Sequence, residues 1–261
     1  MTVQLITIAL APAIALIWFF QARATPHLPE GRIGPWLIAV LFLLGFVSGL
    51  VALTLNHSLE RYTVLWSGAA DPTHRMLYWV FGIGLNEEFA KMLMLLLALF
   101  PRRDFIHPYQ GLMGAAAVAL GFAAIENLFY LERYGTVTLL FRSVLTVPAH
   151  AFFTAPLGVA MAYSKRARGL AGKYLWLVGA LAFGMMAHGV YDVWLSLDSE
   201  WLNRMAYVHV VALGLFVLWL MRQRFPGLQA GGEGALPAPY PAPPQPKAAH
   251  PPSTGRSGPL P

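Results

Sequence analysis

The residues of this chain equipped for chemistry are Glu87, Glu88 and Lys91 in "LNEEFAKM", Glu126 and Asn127 in "AAIENLFY", His150 in "VPAHAFF", and His188 and Asp192 in "MAHGVYD". A glutamate can take a proton from water, histidines and carboxylates can hold a divalent metal, and a cationic or imidazole group can steady a developing oxyanion. Together they cover what hydrolysis of a stable bond requires. All of them lie in strongly apolar surroundings. An ionised residue near a bilayer centre costs roughly 2.5–3.5 kcal/mol even on insertion scales, so such a set must face itself or a water-filled cavity.

Spacing assigns partners within each helix. Glu87 and Lys91 are four apart with the acid first, the favourable order for an ion pair, while Glu88 is turned about 100° away and free to face a ligand. Phe122, Glu126 and Tyr130 share one face and bracket a carboxylate with aromatic rings. His188 and Asp192 are also four apart, so the aspartate can hold one ring nitrogen and aim the other at a metal or water. Pro148 and Pro156 flank His150 and predict a bent backbone there. Asn127 reads as interhelical glue.

The elements that must position these groups are membrane spans. The chain has 261 residues, 57% hydrophobic and 11% charged, with no cysteine, so disulfides, thiolate nucleophiles and Cys-ligated metals are excluded. Apolar stretches long enough for about 30 Å of hydrocarbon lie near 3–20, 36–55, 77–99, 110–131, 138–163, 174–195 and 205–221. The predicted fold class is therefore all-α, a transmembrane bundle of about seven spans over residues 1–225. Leu5 to Phe20 precedes a small-residue "ARA" but follows no basic segment, and reads as a retained span.

Arg23, Arg32, Arg102, Arg103, Lys165, Arg166, Arg168, Lys173, Arg222 and Arg224 fall on one side, against Arg61, Arg75, Arg133 and Arg204 on the other with Arg142 near its edge. That asymmetry predicts an N-terminus outside and a C-terminus in the cytoplasm. It also assigns the net charge of +6 to a membrane surface, not to nucleic acid. At 1.5 Å per residue the polar groups then lie about 5–18 Å below the outer face, one layer in the outer half of the membrane. "GLMGAAAVALG", residues 111–121, predicts close helix packing. From residue 226 to 261 the composition turns to Pro, Ala and Gly, which reads as a disordered cytoplasmic tail.

Other intramembrane hydrolases are disfavoured by absence. There is no HExxH, no GxGD to partner "VYD", and Ser67 lies outside any span with no histidine at its depth. The order EExxK (Glu87 to Lys91), FxxxE (Phe122 to Glu126), a histidine in the next helix (His150) and HxxxD (His188 to Asp192) resembles the PrsW family of intramembrane proteases, across about residues 77–195. These are distant relatives of CAAX prenyl proteases and bacteriocin-processing membrane proteases.

The resemblance implies cleavage of a membrane-anchored protein, typified by the extracytoplasmic cut of an anti-sigma factor in a bacterial plasma membrane. It implies Glu87 as general base, with Glu88, Glu126 and His188 completing the centre. His150 would be a water or oxyanion contact, and Asp192 would hold His188. Glu88, Glu126, His150 and His188 could instead ligate a divalent metal such as zinc, and the sequence permits either a metal or a glutamate-only mechanism. The competing reading is a divalent-metal or proton-coupled transporter, which predicts an internal repeat that the sequence does not display. A non-catalytic membrane scaffold is a third.

Overall fold

The computed structural model describes residues 3–24, 33–62, 71–105, 107–197 and 199–223. Ser67 and the proline-rich stretch from 226 lie outside these. The described residues are helical, with no strand: α1 (Val3–Ala24), α2 (Pro35–Tyr62), α3 (Pro72–Met76), a π-helical stretch (Leu77–Gly84) that runs straight into α4 (Leu85–Ala98), α5 (Pro108–Val144), α6 (Thr146–Arg166), α7 (Gly169–Ser196) and α8 (Glu200–Leu220). With α3 to α4 taken as one rod, seven helical rods form the bundle, as the apolar pattern predicts. By length and composition alone, four of them (α2, α5, α7 and α8) are apolar enough to cross a membrane.

Helix starts follow local chemistry. Asp71 Oδ2 accepts from the His74 amide at 2.8 Å and Pro72 occupies the first turn of α3, where its missing N–H costs nothing. His107 and Gln110 cap each other reciprocally to start α5.

α5 is the central helix: 78% of its most apolar stretch is buried, against 17% for α7. Small residues make this possible. A Cβ on Gly111 would stand 1.9 Å from Gly158 O of α6, and one on Gly158 would stand 1.9 Å from Gly111 O. A Cβ on Gly121 would likewise stand 1.9 Å from Phe42 O of α2. The stretch 111–121 therefore packs as its composition predicts, backbone against backbone. On the other side, a Cβ on Gly189 of α7 would fall 2.3 Å from Val80 Cα in the π-helical stretch.

The expected fifth span, 138–163, is not one helix. Gly135 has φ 78°, a left-handed conformation that glycine adopts without steric cost, and the chain doubles back there. Leu139 packs with Leu131 and Leu128, and Arg142 Nε donates to Asn127 Oδ1 at 3.0 Å, contacts a straight helix could not make. Residues 136–144 thus fold beside the end of α5, and α6 starts at Thr146, level with Glu126. This break at Leu145 replaces the bend expected around His150. Pro148 sits in the first turn of α6, where it removes no helix bond, and Pro156 alone is carried inside the helix.

At the far end of the bundle, Tyr109 Oη lies 2.6 Å from Met221 O, Ser164 Oγ donates to Lys173 O at 3.0 Å, and Lys165 Nζ donates to Arg102 O. The ends of α4, α6 and α8 and the starts of α5 and α7 meet there, and that end carries Arg102, Arg103, Lys165, Arg166, Arg168 and Lys173.

Candidate active site

α2, the rod that runs from the π-helical stretch into α4, and α5, α6 and α7 meet around a cavity of about 810 Å³ toward the opposite end. α2 lines it with Gly49, Ala52, Asn56 and Glu60, one face of the helix at spacings of three and four. The other walls carry Glu87, Glu126, Arg142, His150, His188 and Asp192. Five of the six residues expected to carry catalysis therefore line one cavity, and Glu88 lies directly behind it.

The two adjacent glutamates have exchanged the parts that spacing suggested. Lys91 Nζ donates to Glu88 Oε1 at 2.6 Å, not to Glu87, and both members of this pair are essentially fully buried. Either spacing can reach. What decides is the face: Glu88 and Lys91 point toward α5 and α6, where Thr154 Oγ1 donates to Glu88 Oε2 at 2.7 Å and the ammonium lies 4.1 Å from the Phe122 ring centroid. Glu87 turns instead to α2 and the cavity. Asn56 Nδ2 donates to its Oε1 at 3.3 Å, and its Oε2 is buried with no hydrogen-bond partner.

His188 also differs from the simple HxxxD reading. Its Nδ1 lies 3.0 Å from Glu88 Oε1, and its Nε2 is 3.5 Å from both Glu87 Oε2 and Asp192 Oδ2. Glu88 is the closer orienting partner, and Asp192 shares the working nitrogen with Glu87. Phe153 stacks on the ring at 4.9 Å and 21°, fixing its plane.

His150 is held at both nitrogens. Nδ1 is 3.1 Å from Lys91 Nζ and Nε2 is 2.9 Å from Glu126 Oε2. An ammonium only donates, so Nδ1 accepts and Nε2–H donates to Glu126. Glu126 Oε2 also meets Arg142 Nη2 at 2.7 Å, and the guanidinium lies 3.6 Å from the Tyr130 ring centroid. Phe122 and Tyr130 bracket Glu126 as the FxxxE spacing predicts, each by holding a cation. Asn127 Oδ1 accepts from Arg142 Nε at 3.0 Å and so ties the doubled-back end of α5 to its main run.

The side chains the sequence reading missed are Arg142, Asn56, Asn86, Thr154 and Tyr191, the last lining the cavity with its Oη 2.8 Å from Thr146 Oγ1. Thr154 was within reach of the argument, being one turn after His150. Arg142 was not, since only the reversal at Gly135 carries it from the edge of the membrane back to Glu126.

As to a metal, ligand atoms of Glu87, His150 and His188 lie within 4.8 Å of one another. Glu88 and Glu126, expected among the ligands, stand outside this group of three: Lys91, Thr154 and His188 meet the two oxygens of Glu88, and Arg142 and His150 meet Oε2 of Glu126. Within this cluster Glu87, Glu88, Glu126 and Asp192 set four carboxylates against two fixed cations, Lys91 and Arg142. The lone acceptor on Glu87 and this excess of negative charge both fit a divalent cation.

Residues 34–221 match the model of the PrsW family intramembrane metalloproteases. The chain belongs to this family. Among curated relatives, Protease PrsW of Geobacillus kaustophilus (strain HTA426) is 31% identical over 218 residues, covering 83% of this chain and 87% of the relative. Protease PrsW of Bacillus subtilis (strain 168) is 30% identical over 203 residues, covering 77% and 87%. No solved structure matches. As a PrsW-family member the chain is an integral membrane peptidase acting on a protein in the membrane, and the cavity described above is its candidate active site. The family match extends beyond 77–195 to take in α2 and α8, so the α2 wall of the cavity falls within the PrsW region.

Proposed function

We propose that this protein cuts a membrane-anchored, anti-sigma-factor-like protein on its extracytoplasmic side, with Glu87 as the reacting carboxylate. The observation that carries the reading is Glu87 Oε2, a buried carboxylate oxygen facing His188 Nε2 at the cavity with no hydrogen-bond partner of its own. Such an oxygen is costly unless a water, proton or cation meets it.

Glu87 takes a proton from the attacking water as the water oxygen bonds to the scissile carbonyl carbon. It returns that proton to the amine as the C–N bond breaks, so atoms and charge balance. Glu88 stays ionised against Lys91 and holds His188 by Nδ1, leaving Nε2 toward the reacting centre. Asp192 and the Arg142–Glu126 pair complete a polar wall that keeps a peptide carbonyl solvated inside the bilayer. In the metal-dependent alternative, Glu87, His188 and His150 would hold a divalent ion such as zinc, which would supply acidified water and polarise the carbonyl in place of direct proton removal by Glu87.

The basic end of the bundle supports a cytoplasmic placement for Arg102, Arg103 and Lys165 in a bacterial plasma membrane, with the N-terminus and the cavity toward the outside. Residues 1–225 would then form one transmembrane domain, followed by a cytoplasmic tail from 226 to 261.

Mapping of new protein N-termini in membranes carrying wild-type chain or Glu87→Gln at equal abundance tests the reading. Termini beside a transmembrane segment, outside the cytoplasm and present only with wild type, are expected. Identical termini in both would overturn it. For the metal, a chelator should remove activity from the purified enzyme and zinc should restore it; full activity in metal-free protein would leave a glutamate-only mechanism.

A further inference from the structure

Asn56 and Asn86 were not among the residues that the motifs singled out, yet they form a chain that ends on Glu87. Asn86 Nδ2 donates to Asn56 Oδ1 at 3.1 Å, and Asn56 Nδ2 donates to Glu87 Oε1 at 3.3 Å. The direction of this chain is fixed by chemistry. Turned over, the Asn56 amide would set its oxygen against a carboxylate and its NH2 against the NH2 of Asn86, two repulsive contacts in place of two hydrogen bonds. Asn86 is adjacent to Glu87 on α4, whereas Asn56 comes from α2, so the amide ties the reacting helix to a separate wall of the cavity.

The two oxygens of Glu87 are thereby made unequal. Oε1 is taken by Asn56 and Oε2 is left bare toward His188 Nε2, at 3.5 Å. A carboxylate free to rotate would present either oxygen, and would spend part of its time turned away from the reacting atoms. A second polar tie reinforces the same junction one turn further along α2: Tyr78 Oη, in the π-helical stretch, donates to Glu60 Oε1 at 2.6 Å. Asn56 and Glu60 lie on one face of α2, so this face holds the rod from Tyr78 to Glu87 at two points.

We infer that Asn56 is a positioning residue for proteolysis: its amide, oriented by Asn86, locks the Glu87 carboxylate with Oε2 toward the scissile bond. The inference rests on Glu87 being the reacting carboxylate. Groups that orient a reacting side chain typically contribute 10–100-fold to activity. Asn56→Leu, close in size, should therefore lower kcat by about 10–100-fold with KM unchanged. Asn86→Leu should lower it less, because Asn86 acts only through Asn56, and the double variant should be no slower than Asn56→Leu alone.

The assay uses the purified full chain in lipid and a single-span membrane protein that the wild type is shown to cut, with Glu87→Gln and the folded fraction of each variant measured in parallel. Wild-type kcat in Asn56→Leu beside an inactive Glu87→Gln would overturn the inference alone. Additive losses from Asn56→Leu and Asn86→Leu, or a loss confined to KM or to folded fraction, would also overturn it. An active Glu87→Gln would remove the underlying reading, and this inference with it.

Discussion

Two acid–base pairs of this molecule stand in opposite settings, one in the buried layer beside the cavity and one on the loop-borne rim. At the rim, Arg102 Nη2 meets Asp104 Oδ2 at 2.8 Å with side chains 42% and 67% exposed, and water competes for both charges. In the buried layer, Lys91 meets Glu88 at 2.6 Å with 0% and 1% exposed, and each member is further held by a ring, a hydroxyl or an imidazole. The two contacts have nearly the same length, yet desolvation makes them different objects. The rim pair is a surface contact of about 0–1 kcal/mol. The buried pair gains little net stability when intact, but neither charge can be lost alone.

That asymmetry predicts the largest effect on folding. Lys91→Met should leave Glu88 as an uncompensated buried charge and cost about 3–5 kcal/mol. Adding Glu88→Gln to it should return most of the folded protein without returning activity, since His188 loses its charged partner. Thermal unfolding in detergent measures both; a fully stable Lys91→Met would erase the contrast between the regions.

A smaller loss is expected from Gly158→Ala, where the new Cβ would meet Gly111 O at 1.9 Å and push α6 from α5. Overpacking of this kind costs about 1–3 kcal/mol. The same shift should weaken activity beyond the loss of folded protein, because it separates His150 on α6 from Glu126 on α5.

The smallest effect belongs to the rim. Arg102 beside Asp104 holds the aspartate's carboxyl below the usual carboxylate range. A lowered value in the folded state means that the pair's contribution is present above the ordinary carboxylate pKa and disappears as pH falls through the lowered one. Arg102→Ala should change stability by no more than about 1 kcal/mol and leave proteolysis unchanged. A larger change, or one persisting at low pH, would show the rim to be more than a solvated contact.

Much of this arrangement was legible in the sequence, for reasons that differ by residue. Seven apolar stretches gave the helical bundle, because length and hydropathy are properties of each segment alone. Glu87, Glu126, His150, His188 and Asp192 could be expected at one level because each would otherwise be a charge or imidazole stranded in lipid. Which glutamate pairs with Lys91 was not legible: spacings of three and four are both within reach along one helix, and the choice is made by Phe122 and Thr154 on other helices. Arg142 was hidden by the reversal at Gly135, a single dihedral that hydropathy does not register. Asn56 was hidden because an asparagine on α2 acquires meaning only when the wall it belongs to is assembled.

Cleavage of a membrane-anchored substrate by purified wild-type chain and by Glu87→Gln, both shown to be folded, tests the central claim most directly. A fall of about 10²–10⁴-fold in kcat for Glu87→Gln is the predicted result. Equal rates from the two would contradict Glu87 as the reacting carboxylate.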